Sequence, residues 1–560
     1  MRALEIYDTT LRDGAQAEGV SFSVEDKLRI AQRLDALGIR YVEGGSPGSN
    51  TKDADLFARA RHLRLQQATI VAFGSTRRAG GDTAADGNLT ALLQAETPVI
   101  TLVGKSSVLH VEQVLRTTRA ENLAMIGDSV RCLCRAGRRV FFDAEHFFDG
   151  FRADPEYALA TLAAAQEAGA ECLVLCDTNG GSLPGLITQA VERVCAVFPK
   201  TVIGIHVHND GGLAVANTLA AIEAGASHVQ GTMNGYGERC GNADLCSVIP
   251  NLQLKMGLPV LAPEQLAQLT DTARMVSELA NLKPDPHAPY VGRSAFAHKA
   301  GLHADAVSKV TDSYQHVDPA LVGNERRVLV SELAGKSNIM AKAAELCPEL
   351  GTATERAREI LSEVKEMEAR GYQFEGAEGS FELLLRRAQR DYVPPIELLD
   401  FMVLVEKRQG IDILAEATVK ARVGDQVMHT AAVGNGPVNA LDAAIRKAIR
   451  PFYPEIDRVQ LVDYKVRILD EQSATAAQTR VLIEASDGVR SWNTVGSSPN
   501  IIEASFHALV DSLELPLARV SREAGVLGRE PISPLPHDSP LTTYDSRLMT
   551  SDSKLKSEVL

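Results

Sequence analysis

The feature that most limits how this chain can fold is a regular alternation. From the first residues to about 256, short β-branched or aliphatic runs alternate with amphipathic helical stretches. The runs are ALEIYD (3–8), IRYVEGG (39–45), ATIVAFG (68–74), PVITLVG (98–104), RRVFFDAE (138–145), ECLVLCDT (171–178), TVIGIHVH (201–208) and HVQGTMN (228–234). Ser23 and Asp26 form a capping-box pattern ahead of VEDKLRIAQRLDALG, which Gly38 closes, and similar units follow at 154–169 and 212–225. Eight strand–helix units within about 250 residues predict an α/β fold of the (β/α)8 barrel type. A doubly wound parallel sheet is the competing arrangement, because a strand count is easily off by one.

A barrel gathers chemistry at the C-terminal ends of its strands. The first run leads into DTTLRDG with Arg12 and Asp13; the fifth ends at Glu145; the sixth ends at Asp177 and Thr178. The seventh carries His206 and His208, which a strand would place on one face, the spacing of a metal chelate. The eighth runs into NGYGERCGN with Glu238, Arg239 and Asn242. Asp13, His206, His208 and the Asn242 carbonyl make a ligand set of nitrogen and oxygen without thiolate, suited to Mn2+, Co2+, Zn2+ or Mg2+ with positions open for substrate. Cys240 is expected to pack. The glycines of GYGERCG follow G-x-G-x-x-x-G, without a Walker lysine or the acidic residue of a dinucleotide fold, and are expected to make a tight turn beneath the metal.

At 560 residues the chain exceeds one core and predicts three to four domains. A net charge of −14 with both signs interspersed argues against nucleic acid or an anionic membrane as partner. Eight scattered cysteines, several inside apolar segments, do not form a disulfide framework. MRALEIYDTT shows no charged-then-apolar leader and no apolar run approaches a membrane span, so a cytoplasmic protein is expected.

DTTLRDGAQ, HVHND and NGYGERCGN resemble the signatures of the metal-dependent Claisen-type acyl transferases, which include the 2-isopropylmalate, homocitrate and citramalate synthases. EGGSPGSNTKD (43–53), FFDGF (147–151), LCDTNGG (175–181) and GRSAFAHKAGLHADA (292–306) resemble the citramalate-forming branch, and the similarity covers residues 3–515. The resemblance implies that acetyl-CoA condenses with a 2-oxo acid, here pyruvate, followed by hydrolysis to citramalate and CoA for isoleucine synthesis. It implies that Arg12 stabilises the developing alkoxide, that Thr178 holds the substrate carboxylate, and that His303 abstracts the methyl proton, oriented by Asp305 or Glu238. Glu145 is the competing base; its surroundings, DAEHFFDG, depart from the isopropylmalate synthase pattern, so pocket-lining residues are not carried over.

From 266 to 395 helical patterns dominate, and the resemblance makes this a linker whose first part covers a partner's barrel, bringing His303 and Tyr314 into the site of a homodimer. Residues 396–516 read as a mixed α/β unit with strands in ELLDFMVLVEK, AEATVKARV, VQLVDYKVRIL and TRVLIEA around the helical NALDAAIRKAIRPF. GNGPVNALDAA and WNTVGSSPNIIEAS resemble the family's regulatory domain, where Gly434, Gly436 and Ala440 would line a cavity for the end product, isoleucine. The catalytic barrel would then span 1–265, and 517–560, rich in Pro, Ser and charge, reads as a flexible tail. Three alternatives stay open: a sister synthase using 2-oxoisovalerate or 2-oxoglutarate, a lyase on the same barrel, and a non-catalytic amino-acid sensor.

Overall fold

The computed structural model describes residues 4–526, apart from stretches within 300–312, 332–335, 348–353, 390–391, 408–412 and within 471–475. Two compact units are present: residues 1–298 with 306–328, and 299–305 with the chain from 329 onward. The expected linker, 266–395, is therefore divided between them.

In the first unit, β1 (Glu5–Asp8), β2 (Tyr41–Gly45), β3 (Thr69–Ser75), β4 (Val99–Lys105), β5 (Arg139–Glu145), β6 (Cys172–Asp177), β7 (Val202–Val207) and β8 (His228–Gly231) form a closed parallel barrel. Closure comes from β1 pairing with β8, Glu5 opposite His228 through Asp8 opposite Gly231. This rules out the doubly wound alternative, and no barrel strand is left with an unpaired edge. The eighth strand is shorter than its sequence run, because Asn234 adopts a left-handed conformation (φ 60°) and the chain turns away.

The helix Val24–Leu37 illustrates how the outer layer forms. Ser23 Oγ accepts the Asp26 N–H, the Asp26 carboxylate accepts the Ser23 N–H at 2.9 Å, and Gly38 ends the helix at φ 97°. Ile30, Leu34 and Leu37 recur on one face and are fully buried against the barrel, each contributing about 1.5–3 kcal/mol of apolar burial. Inside the barrel, Tyr7, Tyr41, Phe141, Cys172 and Cys176 pack together, so these two cysteines are core residues.

Beyond the barrel, two short strands, β9 (Ala297–His298) and β10 (Arg327–Val328), pair in parallel. In the second unit the helices Lys336–Leu346, Thr354–Ala369 and Glu378–Arg387 share a core that includes Ile339, Val364 and Phe381. Then a three-strands-plus-helix unit occurs twice. Strands β11 (Glu397–Glu406), β12 (Leu414–Val423) and β13 (Gln426–Gly434) precede the helix Pro437–Ile449, and β14 (Gln460–Ile468), β15 (Thr479–Ser486) and β16 (Ser491–Ser498) precede the helix Ile501–Val526. β13 and β16 were not predicted: QVMHTAAVG and SWNTVGSS carry too many Gly, Ala, Ser and Asn residues to read as strands alone, and antiparallel pairing with β12 and β15 supplies what propensity lacks. The last helix continues past 516 to Val526; the rest of the expected tail lies outside the described residues.

Candidate active site

His206 and His208 lie at the end of β7 and point to one side of it, as the period of two requires. Asp13, from the loop after β1, meets them: His206 Nε2 is 3.4 Å and His208 Nε2 3.9 Å from Asp13 Oδ2, and the two Nε2 atoms are 3.4 Å apart. All three side chains are buried, and their ligand atoms lie within 4.8 Å of one another. Asn242 is brought alongside by a backbone bridge to His208. Its amide NH2 donates to the Tyr236 carbonyl at 3.2 Å, which leaves Oδ1 buried with no hydrogen-bond partner. Asp13 Oδ1 is orphaned in the same way. Two carbonyl-type oxygens left unsatisfied beside two imidazole nitrogens are what a hard to borderline divalent cation would satisfy, so the residues fit the group.

The histidines are prepared for that role from behind. His206 Nδ1 bonds to Gln230 Oε1 at 2.9 Å, and Gln230 Nε2 donates to Asp143 at 3.0 Å. This places the His206 proton on Nδ1 and leaves Nε2 as the ligand atom. Burial pushes the Asp143 carboxyl up to about 7. Burial, with His206 beside it, pushes His208 down to about 4, so its lone pair is free at neutral pH. Burial acts against charge on Asp13 as well, yet Arg12 and the two imidazoles hold its carboxyl well below the usual carboxylate range. The turn beneath Asn242 needs its glycine: at Gly237 (φ 156°) a Cβ would stand 2.2 Å from the Asn242 amide nitrogen.

Arg12 lies over the Phe73 ring, 3.8 Å from its centroid, with Nη1 3.4 Å from Asp13. Its Nε donates to Glu43 at 2.6 Å. Glu43 is fully buried and also accepts from Tyr7 at 2.7 Å and from the Thr9 hydroxyl. Sequence reading missed Glu43, Gln230 and Asp143. All three sit inside strand runs, where alternation predicts inward-facing positions but gives no sign that the barrel interior is polar there.

The comparisons agree with this geometry. Residues 3–276 match the HMGL-like family model, 290–372 the homocitrate synthase post-HMGL domain-like model, and 375–516 the LeuA allosteric (dimerisation) domain. The chain is 53% identical to an (R)-citramalate synthase of Synechocystis sp. over 95% of its length and 99% of the relative's, and 52% identical to that of Geobacter sulfurreducens over 92% and 98%. A 2-isopropylmalate synthase of Methanocaldococcus jannaschii is 30% identical over 92% of this chain and 95% of that one. The chain belongs to the (R)-citramalate synthase family. Membership makes it an acyltransferase-type enzyme with a candidate divalent-metal site at Asp13, His206 and His208.

Other predicted residues of this family member fall in several places. Thr178 follows β6 on the same rim, its hydroxyl accepting the His146 N–H at 2.8 Å and its carbonyl accepting Arg239 Nη2 at 2.8 Å. Glu145 ends β5 and is ion-paired with Lys105, a residue not singled out from sequence. Glu238 is exposed, 3.7 Å from Arg239, and is not among the groups brought to Asp13 and the two histidines. Cys240 is exposed rather than packed, because the left-handed turn at Arg239 (φ 58°) carries it to the surface. Tyr314 is exposed in the barrel unit, whereas His303 belongs to the second unit and is also exposed. Asp305 lies outside the described residues.

In the second unit Gly434 ends β13, where a Cβ would lie 2.4 Å from the Ala440 nitrogen. Ala440 is fully buried in the helix above, and Gly436 is the extended residue before that helix. Packing of strand against helix within one chain already accounts for Gly434 and Ala440.

Proposed function

We propose that the chain condenses acetyl-CoA with pyruvate and water to give (R)-citramalate and CoA, in the cytosol, as a step toward isoleucine. The observation that carries this reading is the buried Asp13–His206–His208 cluster with the orphaned Asn242 oxygen, at the barrel's catalytic rim, in a chain 53% identical to a named (R)-citramalate synthase. A bound divalent cation (Mn2+, Co2+, Zn2+ or Mg2+) on Asp13, His206, His208 and Asn242 would polarise the 2-oxo acid's carbonyl.

The chain's own residues do the rest. Arg12, its Nε fixed on Glu43 and its Nη1 beside Asp13, offers Nη2 to the alkoxide that develops on the pyruvate C2 oxygen. Thr178 donates to the pyruvate carboxylate. A base removes one proton from the acetyl methyl, the resulting carbon attacks pyruvate C2, and water then cleaves the thioester to carboxylate and the CoA thiol. Following the resemblance, we assign the base to His303, delivered together with Tyr314 from the partner of a homodimer, with Glu238 supporting it. The Lys105 ion pair favours this over Glu145, since it already occupies one oxygen of that carboxylate.

We further read the chain as an isoleucine-inhibited homodimer, with the inhibitor near Gly434, Gly436 and Ala440. The sheets of the second unit support an assembly: opposite their helices they expose Met402 (63%) and Val462 (59%) with neighbouring apolar residues. The test is CoA thiol release with pyruvate, 2-oxoisovalerate and 2-oxoglutarate in turn, each with and without isoleucine. Turnover with pyruvate alone, lowered by isoleucine, is the expected result, and preference for another 2-oxo acid overturns the substrate assignment.

A further inference from the structure

Beside the metal cluster, the loops after β4, β5 and β6 are tied together by two histidines that the reaction above does not use. His146 follows Glu145 directly, in a left-handed conformation (φ 59°, ψ 32°) that a residue with a Cβ rarely adopts. In that conformation its N–H points at the Thr178 hydroxyl oxygen, 2.8 Å away. Its side chain is 10% exposed, and the ring lies flat on His110, with centroids 3.6 Å apart and planes within 12°. His110 opens a wide helical turn, His110–Val114, of the π type that often marks functional sites. On its other side His146 Nδ1 is 3.6 Å from Asp149, and Asp149 accepts from Asn179 at 2.6 Å. Thr178 and its chain neighbour Asn179 are thus both attached to the loop that His146 begins.

We propose that His110 and His146 are positioning residues for the 2-oxo acid subsite. The stacked rings hold the left-handed backbone of His146, whose N–H fixes the Thr178 oxygen and leaves the Thr178 proton to donate to the substrate carboxylate. This rests on the reading of Thr178 as the carboxylate-binding residue. It does not depend on which 2-oxo acid is used, because all of them carry that carboxylate.

The stack and the backbone are separable by substitution. In H146A the ring is lost and the left-handed conformation becomes costly; in H146G the ring is lost while the conformation becomes easy. With whichever 2-oxo acid the unmodified enzyme turns over, H146A is expected to raise its KM about tenfold, the effect of a lost hydrogen bond to a charged group, with KM for acetyl-CoA shifting much less. H146G should recover a large part of that loss, and H110F, which keeps an aromatic face under His146, should bind the 2-oxo acid more tightly than H110A. H146A combined with T178V should be no worse than T178V alone. Equal changes in both KM values, no recovery in H146G, or additive losses with T178V would each overturn the proposal. If T178V itself leaves KM for the 2-oxo acid unchanged, the carboxylate assignment fails instead, and the two failures are thereby told apart.

Discussion

Two clusters of the barrel unit, the one around Asp13 and the one around Asp35, treat buried polar groups in opposite ways. At the C-terminal end, Asp13 Oδ1, Asn242 Oδ1 and His208 Nδ1 are buried without a partner, and His146, Asn234 and Arg239 hold left-handed backbones. At the N-terminal end, the Asp35 carboxylate on the first helix accepts the backbone N–H groups of Gln66, Gln67 and Ala68, at 2.7–3.0 Å, just ahead of β3. A buried acceptor left empty costs stability, and one filled by three donors adds to it. The difference marks which of the two clusters is built for a ligand and which for holding the fold.

The largest effect should come from the unsatisfied cluster around Asp13. Asp13→Ala removes the only carboxylate of the metal cluster, and turnover should fall by about a thousandfold or more. Metal content measured on the same preparation should fall with it; a variant that keeps full activity without metal would remove the basis of the proposed chemistry. Next comes Glu43→Gln, which leaves the shape and takes away the charge facing Arg12. A loosened guanidinium should lower kcat/KM by about a hundredfold, read mainly in kcat, because the alkoxide charge it is proposed to serve is absent from bound substrate and develops only as the carbon–carbon bond forms.

How much of this contrast is legible in the sequence depends on what each residue does. The candidate cluster could be read because its spacing is chemical: His206 and His208 two apart on a strand, Asp13 after β1, Asn242 after β8. All eight strands could be read because parallel barrel strands are buried on both faces and their runs are continuous. Glu43, Gln230 and Asp143 could not, since their partners come from other strands and no local pattern separates a polar interior position from an exposed one. β13 and β16 escaped for a related reason, being held by cross-strand pairing rather than by their own residues. Gln230→Ala tests the hidden layer directly. Without the acceptor on Nδ1, His206 can swap tautomers, and metal affinity measured by competition with a chelator should weaken about tenfold to a hundredfold. Unchanged affinity would reduce Gln230 to a packing residue.

The smallest effect belongs to the satisfied Asp35 cluster, and there it should appear in stability alone. Asp35→Asn keeps Oδ1 as acceptor for Gln67 and Ala68 but replaces Oδ2 with a donor that faces the Gln66 N–H. The loss should be about 1–2 kcal/mol of unfolding free energy at neutral pH, with kcat and both KM values unchanged. The three N–H groups outweigh burial and hold the Asp35 carboxyl below its ordinary value, so its charged form is favoured in the folded protein. A carboxyl with a lowered folded pKa stabilises the fold fully above its unfolded pKa, about 3.9, and loses that contribution as pH falls through the folded value. Denaturant titrations of the two proteins should therefore differ at pH 7 and converge below about pH 4. A gap that widens in acid would mean that Asp35 is held in its neutral form, and a loss of catalysis at pH 7 would mean that the Asp35 and Asp13 clusters are not as separate as their hydrogen bonding indicates.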